Sequence, residues 1–363
     1  MEYFDLSEIC DVKTGKLDAN ASVEGGKYPF FTCSRSISWI DTYAYDCACV
    51  LLAGNGEFNV HIYDGKFNAY QRTYIITIKP HKIYNLKLIY YIVMRSVERF
   101  KRISVGGVIK FIKIGDVYSI KLPNISFNDQ KSIVDLLEHT ETLIDKSKKQ
   151  LLLLDELVKS RFNDMFAESL INKTRTCKFS DICESLIGLT YKPENVSDAG
   201  TIVLRSGNIQ DGELYLKDDV VRVNNIAIKG EKMVRPLDIL MCSRNGSSRL
   251  VGKTCIIKNT NEPMTFGAFM AIIRTPFPYI VNAFMNTNYF RYQLTGTQTA
   301  SVNQITIKML YDYDIFLPTL EEEKEFRRFV ELIDKSKFNL QRRIETLTEL
   351  FNKKMDEFFG GND

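Results

Sequence analysis

The sequence predicts a mixed α/β fold of the α+β kind, with two globular domains, two long antiparallel coiled-coil helices and a pseudo-two-fold internal repeat. Three observations lead there. The hexapeptide LIDKSK occurs at residues 143–148 and again at 332–337, and the pairs Phe162-Asn163 and Phe351-Asn352 stand at the same separation of 189 residues. Around each copy, apolar residues return in alternating steps of four and three for more than four heptads without Pro or Gly, the pattern of a coiled-coil seam. Before each seam lies a stretch rich in β-branched and aromatic residues and punctuated by Gly, Asn and Asp, as expected of a globule of strands and short helices.

Taken in order, residues 1–122 form the first globule. DCACVLLAGNGEF (46–58) and YQRTYIITIKP (70–80) read as strand, Asn-Gly turn and strand, and NLKLIYYIVMRSVERF (85–100) as helix. A Leu-Pro step then opens the segment 123–170, whose seam is Ile133, Leu137, Thr140, Ile144, Ser147, Leu151, Leu154, Val158 and Met165, interrupted by Arg161. Residues 171–317 form the second globule, where PLDILMCSRNGSS (236–248) and FGAFMAIIRTP (266–276) are the counterparts of the first pair and IVNAFMNTNYFRYQL (280–294) is the helical stretch. A second Leu-Pro opens 318–363, with seam positions Phe326, Val330, Ile333, Lys337, Leu340, Ile344, Leu347, Phe351 and Phe358 around a polar Lys354. Each seam of ~33 residues is ~50 Å long as a helix. A lone heptad helix would suggest a dimerisation zipper, but two matched helices with a globule between them can pair with each other in antiparallel fashion. Glu321, Glu322, Glu323 and Glu325 open the second helix, where carboxylates complement the positive end of its dipole.

Composition narrows the classes. No apolar run approaches the ~20 residues that span a bilayer, and the start MEYFDLSEIC is acidic where a signal peptide is basic, so a cytoplasmic location is expected. Eight cysteines without a CxxC pair read as reduced thiols, and Cys47, Cys49 and His61 fall short of the four ligands a structural zinc wants. No metal is expected. The net charge of +3 is weak, but its distribution is uneven: residues 1–122 carry 16 basic and 12 acidic side chains and 177–317 carry 15 and 13. A polyanionic partner would touch these pieces.

The duplicated plan, with a Leu-Pro step and helix start (LPNISFNDQKSIVDLL, LPTLEEEKEFRRFV), helix ends LLLLDELVKSRFNDMF and TLTELFNKKMDEFF, and a strand-turn in each globule, resembles the DNA-specificity subunit of Type I restriction-modification systems. The resemblance covers nearly the whole chain. It implies that 1–122 and 171–317 are target recognition domains, 123–170 the central conserved helix and 318–363 the distal one. It further implies a non-catalytic reader of a bipartite asymmetric site in double-stranded DNA, with the helices setting the unread spacer. Two methyltransferase subunits would dock, and motor-nuclease restriction subunits would join. No cofactor is implied in this chain, since S-adenosylmethionine belongs to the methyltransferase partner.

Base edges are read by Arg, Asn, Gln, Ser and Thr, and phosphates by Lys, Arg and hydroxyls. Loops rich in these types give the candidates. In the second globule they are Arg205 and Ser206, then Arg244, Asn245, Ser247, Arg249 and Lys253 in CSRNGSSRLVGK, and Gln304 in TGTQTASVNQ, which also holds Gln298 and Ser301. In the first globule they are Arg35, Asn55, Gln71, Arg72, Arg102 and Lys110. Asn55 and Asn245 each precede Gly, so hairpin-turn chemistry is an equal reading of both. No NPPY-like, GxGxxG, P-loop, HExxH or PD…ExK motif occurs. The rival readings are a coiled-coil adaptor without DNA and a divergent DNA nuclease.

Overall fold

The computed structural model describes residues 2–105, 110–218, 220–295 and 303–360. It divides into two compact units, Met1–Lys148 with Gln341–Asp363, and Lys149–Leu340.

In the first unit, β1 (Tyr3–Asp5), α1 (Leu6–Ile9) and β2 (Cys10–Thr14) lead into β3 (Tyr28–Phe31), β4 (Ser38–Ile40), β5 (Tyr45–Ala53), β6 (Val60–Ala69) and β7 (Thr73–Ile78). Helices α2 (Leu86–Arg95), α3 (Val97–Ile103) and α4 (Ile114–Tyr118) follow, then β8 (Lys121–Pro123) and the long α5 (Phe127–Ile171). The six-stranded sheet runs β2-β7-β5-β6-β3-β4, antiparallel except where β3 meets β6. From Cys49 to Ala53 the central strand β5 is buried without alternation because both faces are covered: Val50 and Leu52 lie in the core with Leu88, Ile89 and Ile92 of α2, while Cys49 and Leu51 lie with Phe31, Phe67 and Ile75. The helix expected over 85–100 breaks at Ser96, whose Oγ donates to the Ile92 carbonyl at 2.8 Å and ends α2.

The second unit takes in α5 from Lys149 onward and continues with β9 (Thr176–Lys178), α6 (Phe179–Ile182) and β10 (Glu184–Ile187). Short strands β11 (Val196–Ser197), β12 (Thr201–Leu204), β13 (Ile209–Gln210), β14 (Glu213–Leu214) and β15 (Val221–Val223) precede β16 (Ile239–Cys242), β17 (Thr254–Ile256), β18 (Met264–Phe266) and β19 (Met270–Arg274). Helices α7 (Pro278–Met285), α8 (Asn288–Thr295) and α9 (Ile307–Tyr311), strand β20 (Asp314–Phe316) and the long α10 (Leu320–Phe359) complete the chain. Two four-stranded sheets form, β10-β19-β16-β17 and β11-β15-β12-β18. Alternation along β16 sends Ile239 and Met241 to one core and Leu240 and Cys242 to another. The helical stretch expected over 280–294 is also two helices, divided where Thr287 Oγ donates to the Phe284 carbonyl and accepts from Phe290 N–H.

The two units repeat one another in backbone detail. A β1-β8 ribbon in the first corresponds to a β9-β20 ribbon in the second, and Leu6 N–H donates to the Ile120 carbonyl as Phe179 N–H does to that of Tyr313. The ion pair on each ribbon is kept with its charges exchanged: Lys121 meets Asp5 at 2.6 Å, and Lys178 meets Asp314 at 2.7 Å. Gly15 and Gly188 are equivalent too. A Cβ on Gly15 would lie 2.1 Å from the Ala69 carbonyl oxygen, and one on Gly188 2.2 Å from that of Gly267, so both positions require a residue without a side chain. The sequence carries this part of the repeat as LSEIC (6–10) and FSDIC (179–183), at a separation of 173 that a search at 189 passes over.

The long helices take up their seam positions within each unit. In the first unit Val134 and Leu137 share a core with Met355 and Phe359, with Ile133 and Phe351 half-buried against it, while Ile144 is buried and Ile344 and Leu347 are half-buried. In the second, Lys337 Nζ meets Asp155 at 2.7 Å and Arg161 meets Glu325, so the partners run in opposite senses. There Ile333 is buried and Leu151, Leu154, Val158, Val330 and Leu340 are half-buried. The buried hydroxyls of Thr140 and Ser147 are satisfied by carbonyls four residues back, at 2.8 Å each. The heptad reading fails at the end of α5, where Phe162, Phe166 and Leu170 are buried in steps of four and Met165 is only half-buried. That stretch packs into a globular core instead of along one helix, so the straight-helix period of 3.6 replaces 3.5.

The acidic start of α10 does more than complement its own dipole. Glu322 pairs with Arg175, Glu325 with Arg161 and Glu321 with Lys324. Glu323 is buried, and its carboxylate accepts the Tyr279 and Ile280 N–H groups at 3.0 and 3.1 Å, capping α7. Gln130 of α5 does the same for Asn85 N–H at the start of α2, at 2.8 Å. Burial raises the Glu323 pKa, against the lowering effect of the two N–H donors and of Arg327. A carboxyl whose folded pKa is raised stabilises fully below its unfolded pKa and loses part of that as pH rises through the folded value. Glu323→Gln is therefore expected to gain on the native chain as pH rises from 4 to 7, whereas Glu323→Ala, which also loses the cap, is about 1–2 kcal/mol below the native chain at pH 4 and closer to it at pH 7. Denaturant midpoints at the two pH values check this, and a Gln variant that tracks the native chain at both would contradict it.

Candidate nucleic-acid interface

In the first unit, loops far apart in sequence converge at the ends of β5 and β7. Gly54 N–H donates to the Arg72 carbonyl at 2.7 Å, Ile112 N–H to the Gly54 carbonyl at 3.0 Å and Gly56 N–H to the Lys110 carbonyl at 3.2 Å. Asn55 is bridged to Phe111, and the Arg72 guanidinium lies over the Phe111 ring, 5.8 Å from its centre. Gln71 and Arg72 line a cleft of about 310 Å³ with Thr14, Gly54, Tyr74 and Ile112. The loop carrying Arg35 joins this edge: Asn59 Nδ2 donates to the Cys33 carbonyl at 3.1 Å, and Arg35 pairs with Glu57. Thus Arg35, Asn55, Gln71, Arg72 and Lys110 come together. Arg102 does not, and lines another cleft with Arg95, Glu98 and Lys101.

The second unit builds its site at the same place. Ser243 and Arg244 N–H both donate to the Phe269 carbonyl at 3.0 Å, Ile305 N–H to that of Ser243 at 2.7 Å, and Asn245 N–H to that of Asn303 at 3.3 Å. Arg244 is bridged to Gln304, and its guanidinium lies over the Phe269 ring, 5.5 Å from its centre. Asn245 Nδ2 donates to Ser206 Oγ at 3.1 Å while its Oδ1 accepts from Ser247 N–H at 2.9 Å. Ser206, Arg244, Asn245 and Gln304 are therefore gathered, with Arg205 immediately before Ser206. Ser247 and Arg249 are exposed farther along the loop, and Lys253 lies half-buried at its end, its carbonyl held by Cys242 N–H. Gln298 and Ser301 lie outside the described residues.

Neither Asn-Gly dipeptide makes the two-residue hairpin turn expected of it. Six residues separate β5 from β6 and eleven separate β16 from β17, and of the four residues only Gly56 has positive φ, at 71°. Asn245 does serve a turn, through its side chain. Phe111 and Phe269 were not among the candidates, and nothing in the sequence separates them from core aromatics. Their role is visible only once the arginines are seen on them; Phe269 is 60% exposed.

The remaining chemistry-bearing groups are quiet. Burial pushes the Cys10, Cys183 and Cys255 thiols up to about 12 and raises Cys49 as well. Burial also lowers the His61 pKa, and its ring packs 5.5 Å from that of Phe31. Among the described residues no group of three His, Cys, Asp or Glu is placed to hold a metal, and no helix is long and apolar enough to cross a membrane.

Comparison with known proteins gives a consistent result. Residues 1–154 match the family described as Type I restriction modification DNA specificity domain. The EcoDI Type I restriction enzyme specificity subunit of Escherichia coli is 37% identical over 155 residues, 43% of this chain and 34% of that protein. The match thus spans about a third of that relative's length. The solved Type I restriction-modification S subunit from M. genitalium has a similar fold, with a TM-score of 0.59 at 14% identity over 99% of this chain and 96% of that one. A chain from a structure of Type I restriction-modification complex assembly and conformational transition gives 0.54 at 14% identity, over 99% and 97%.

Proposed function

We infer that this chain, whose residues 1–154 match the Type I restriction modification DNA specificity domain family, acts as the DNA-specificity subunit of such a system. The observation that carries this reading is the family match across the segment that holds Arg35, Asn55, Gln71, Arg72 and Lys110. In this reading 1–122 and 171–317 are the recognition domains, each contacting one half of a bipartite site in duplex DNA. The helices of 123–170 and 318–363 set the unread spacer and offer matched docking surfaces to two methyltransferase subunits, to which restriction subunits add. This chain contributes recognition, and S-adenosylmethionine belongs to the methyltransferase. Exposed Arg and Lys on the two loop clusters support the reading, because phosphate contacts of this kind supply most non-specific affinity.

Cells expressing the chain with its methyltransferase partner are expected to carry methylation at one interrupted two-part motif. Deleting four residues at Leu151 should change the interruption by a base pair or more without changing either half. Methylome sequencing checks both. A continuous motif, or none, would refute the reading, and an unchanged interruption would refute the spacing role.

A further inference from the structure

The hydrogen bonds that close the two loop clusters superimpose one residue on another without reference to residue type. Ala53 pairs with Thr73 at the end of β5 and β7, and Cys242 pairs with Met270 at the end of β16 and β19. One residue outward, Gly54 bonds to Arg72 as Ser243 bonds to Phe269, and Ile112 bonds to Gly54 as Ile305 bonds to Ser243. Asn55 is then bridged to Phe111 as Arg244 is to Gln304. Three equivalent positions therefore carry Asn55, Arg72 and Phe111 in one unit and Arg244, Phe269 and Gln304 in the other. Each set contains one arginine, one phenylalanine and one carboxamide, dealt to different positions, and in each the guanidinium lies over the phenyl ring.

The fold does not require this. The junctions are already closed by backbone hydrogen bonds, and a cation–π pair at an exposed site adds little to stability. Both guanidiniums are exposed and, among the described residues, neither is neutralised by a carboxylate, whereas Arg35 and Arg274 are. A guanidinium drawn over a ring face has its freedom reduced before a ligand arrives, which lowers the ordering cost of using its paired N–H donors. The base edge that takes two parallel donors from arginine is the O6/N7 edge of guanine in the major groove, and a carboxamide suits the N6/N7 edge of adenine.

We propose that Asn55, Arg72 and Phe111 in the first unit and Arg244, Phe269 and Gln304 in the second are the base-reading centres, each arginine reading a guanine of its own half-site. The inference rests on the DNA-specificity reading above and assigns its selectivity to six residues. Its test is selection of the full-length chain, native and variant, on a pool of duplexes with a randomised core, followed by sequencing. The native chain should enrich a two-part motif with a G·C pair in each part; enrichment of no sequence overturns the DNA-specificity reading itself. Arg72→Lys, which keeps the charge, should lose about tenfold of the preference at one G·C pair of one part, and Arg244→Lys the same in the other part only. Phe269→Leu should weaken preference at the position affected by Arg244→Lys. If the native motif is enriched but the lysine variants keep every preference, or lose affinity evenly across all positions, the arginines contact phosphate and the assignment is wrong.

Discussion

Asp238→Ala is expected to destabilise the second unit by about 3 kcal/mol, because it leaves a largely buried guanidinium, 13% exposed, without its counter-charge. Arg274 Nε donates to Asp238 Oδ1 at 3.0 Å and Nη2 to Oδ2 at 3.2 Å, while Arg235 N–H donates to Oδ2 at 2.9 Å. Asp238 is 3% exposed. The remaining bond from Arg274 to the Met233 carbonyl, at 2.9 Å, satisfies one donor but no charge. Replacing both partners, as Asp238→Leu with Arg274→Met, should recover most of the loss, since what is expensive is the unpaired charge and not the missing pair. Denaturant midpoints of the full chain give the comparison. A single alanine change costing only about 0.5 kcal/mol, the scale of a surface substitution, would show that water reaches Arg274.

Phe166→Ala should cost about 3–5 kcal/mol through the cavity it leaves. The Phe166 ring stacks on Phe316 with centres 4.6 Å apart and lies edge-on to Phe326 at 6.2 Å, with Phe162 at 5.2 Å. These rings come from α5, β20 and α10, so the change loosens the point at which both long helices enter the second unit's core. Leu153→Ala on the same helix is the control: Leu153 is 66% exposed, and its loss should stay within about 0.5 kcal/mol. Equal effects from the two variants would mean that α5 is not anchored by this cluster.

The sequence by itself placed the two long helices. A period of three and four continued over many turns can be satisfied by little else than a helix with one covered face, and α5 and α10 run through the seam positions named from it. It also named most of the polar residues that the loops gather, because Arg, Asn, Gln and Ser concentrated about glycines mark surface loops whatever those loops touch. The LSEIC and FSDIC repeat was equally open to reading.

Tertiary structure decided the rest, and the register of the internal repeat shows why. Matching identical letters sets Asn55 against Asn245 and Pro80 against Pro276, separations of 190 and 196. The hydrogen bonds set Asn55 against Arg244 and Arg72 against Phe269, separations of 189 and 197. A shift of one residue along a strand exchanges the faces it presents, so letters that agree can stand at positions that do not. Only the backbone ladder fixes which side chains share a place. For the same reason the pairing of Arg72 with Phe111, 39 residues on, and of Arg244 with Phe269, 25 residues on, could not be read in advance. Periodicity reports the neighbours of a residue along its own helix or strand, whereas these contacts exist only where separate loops meet at the end of a sheet.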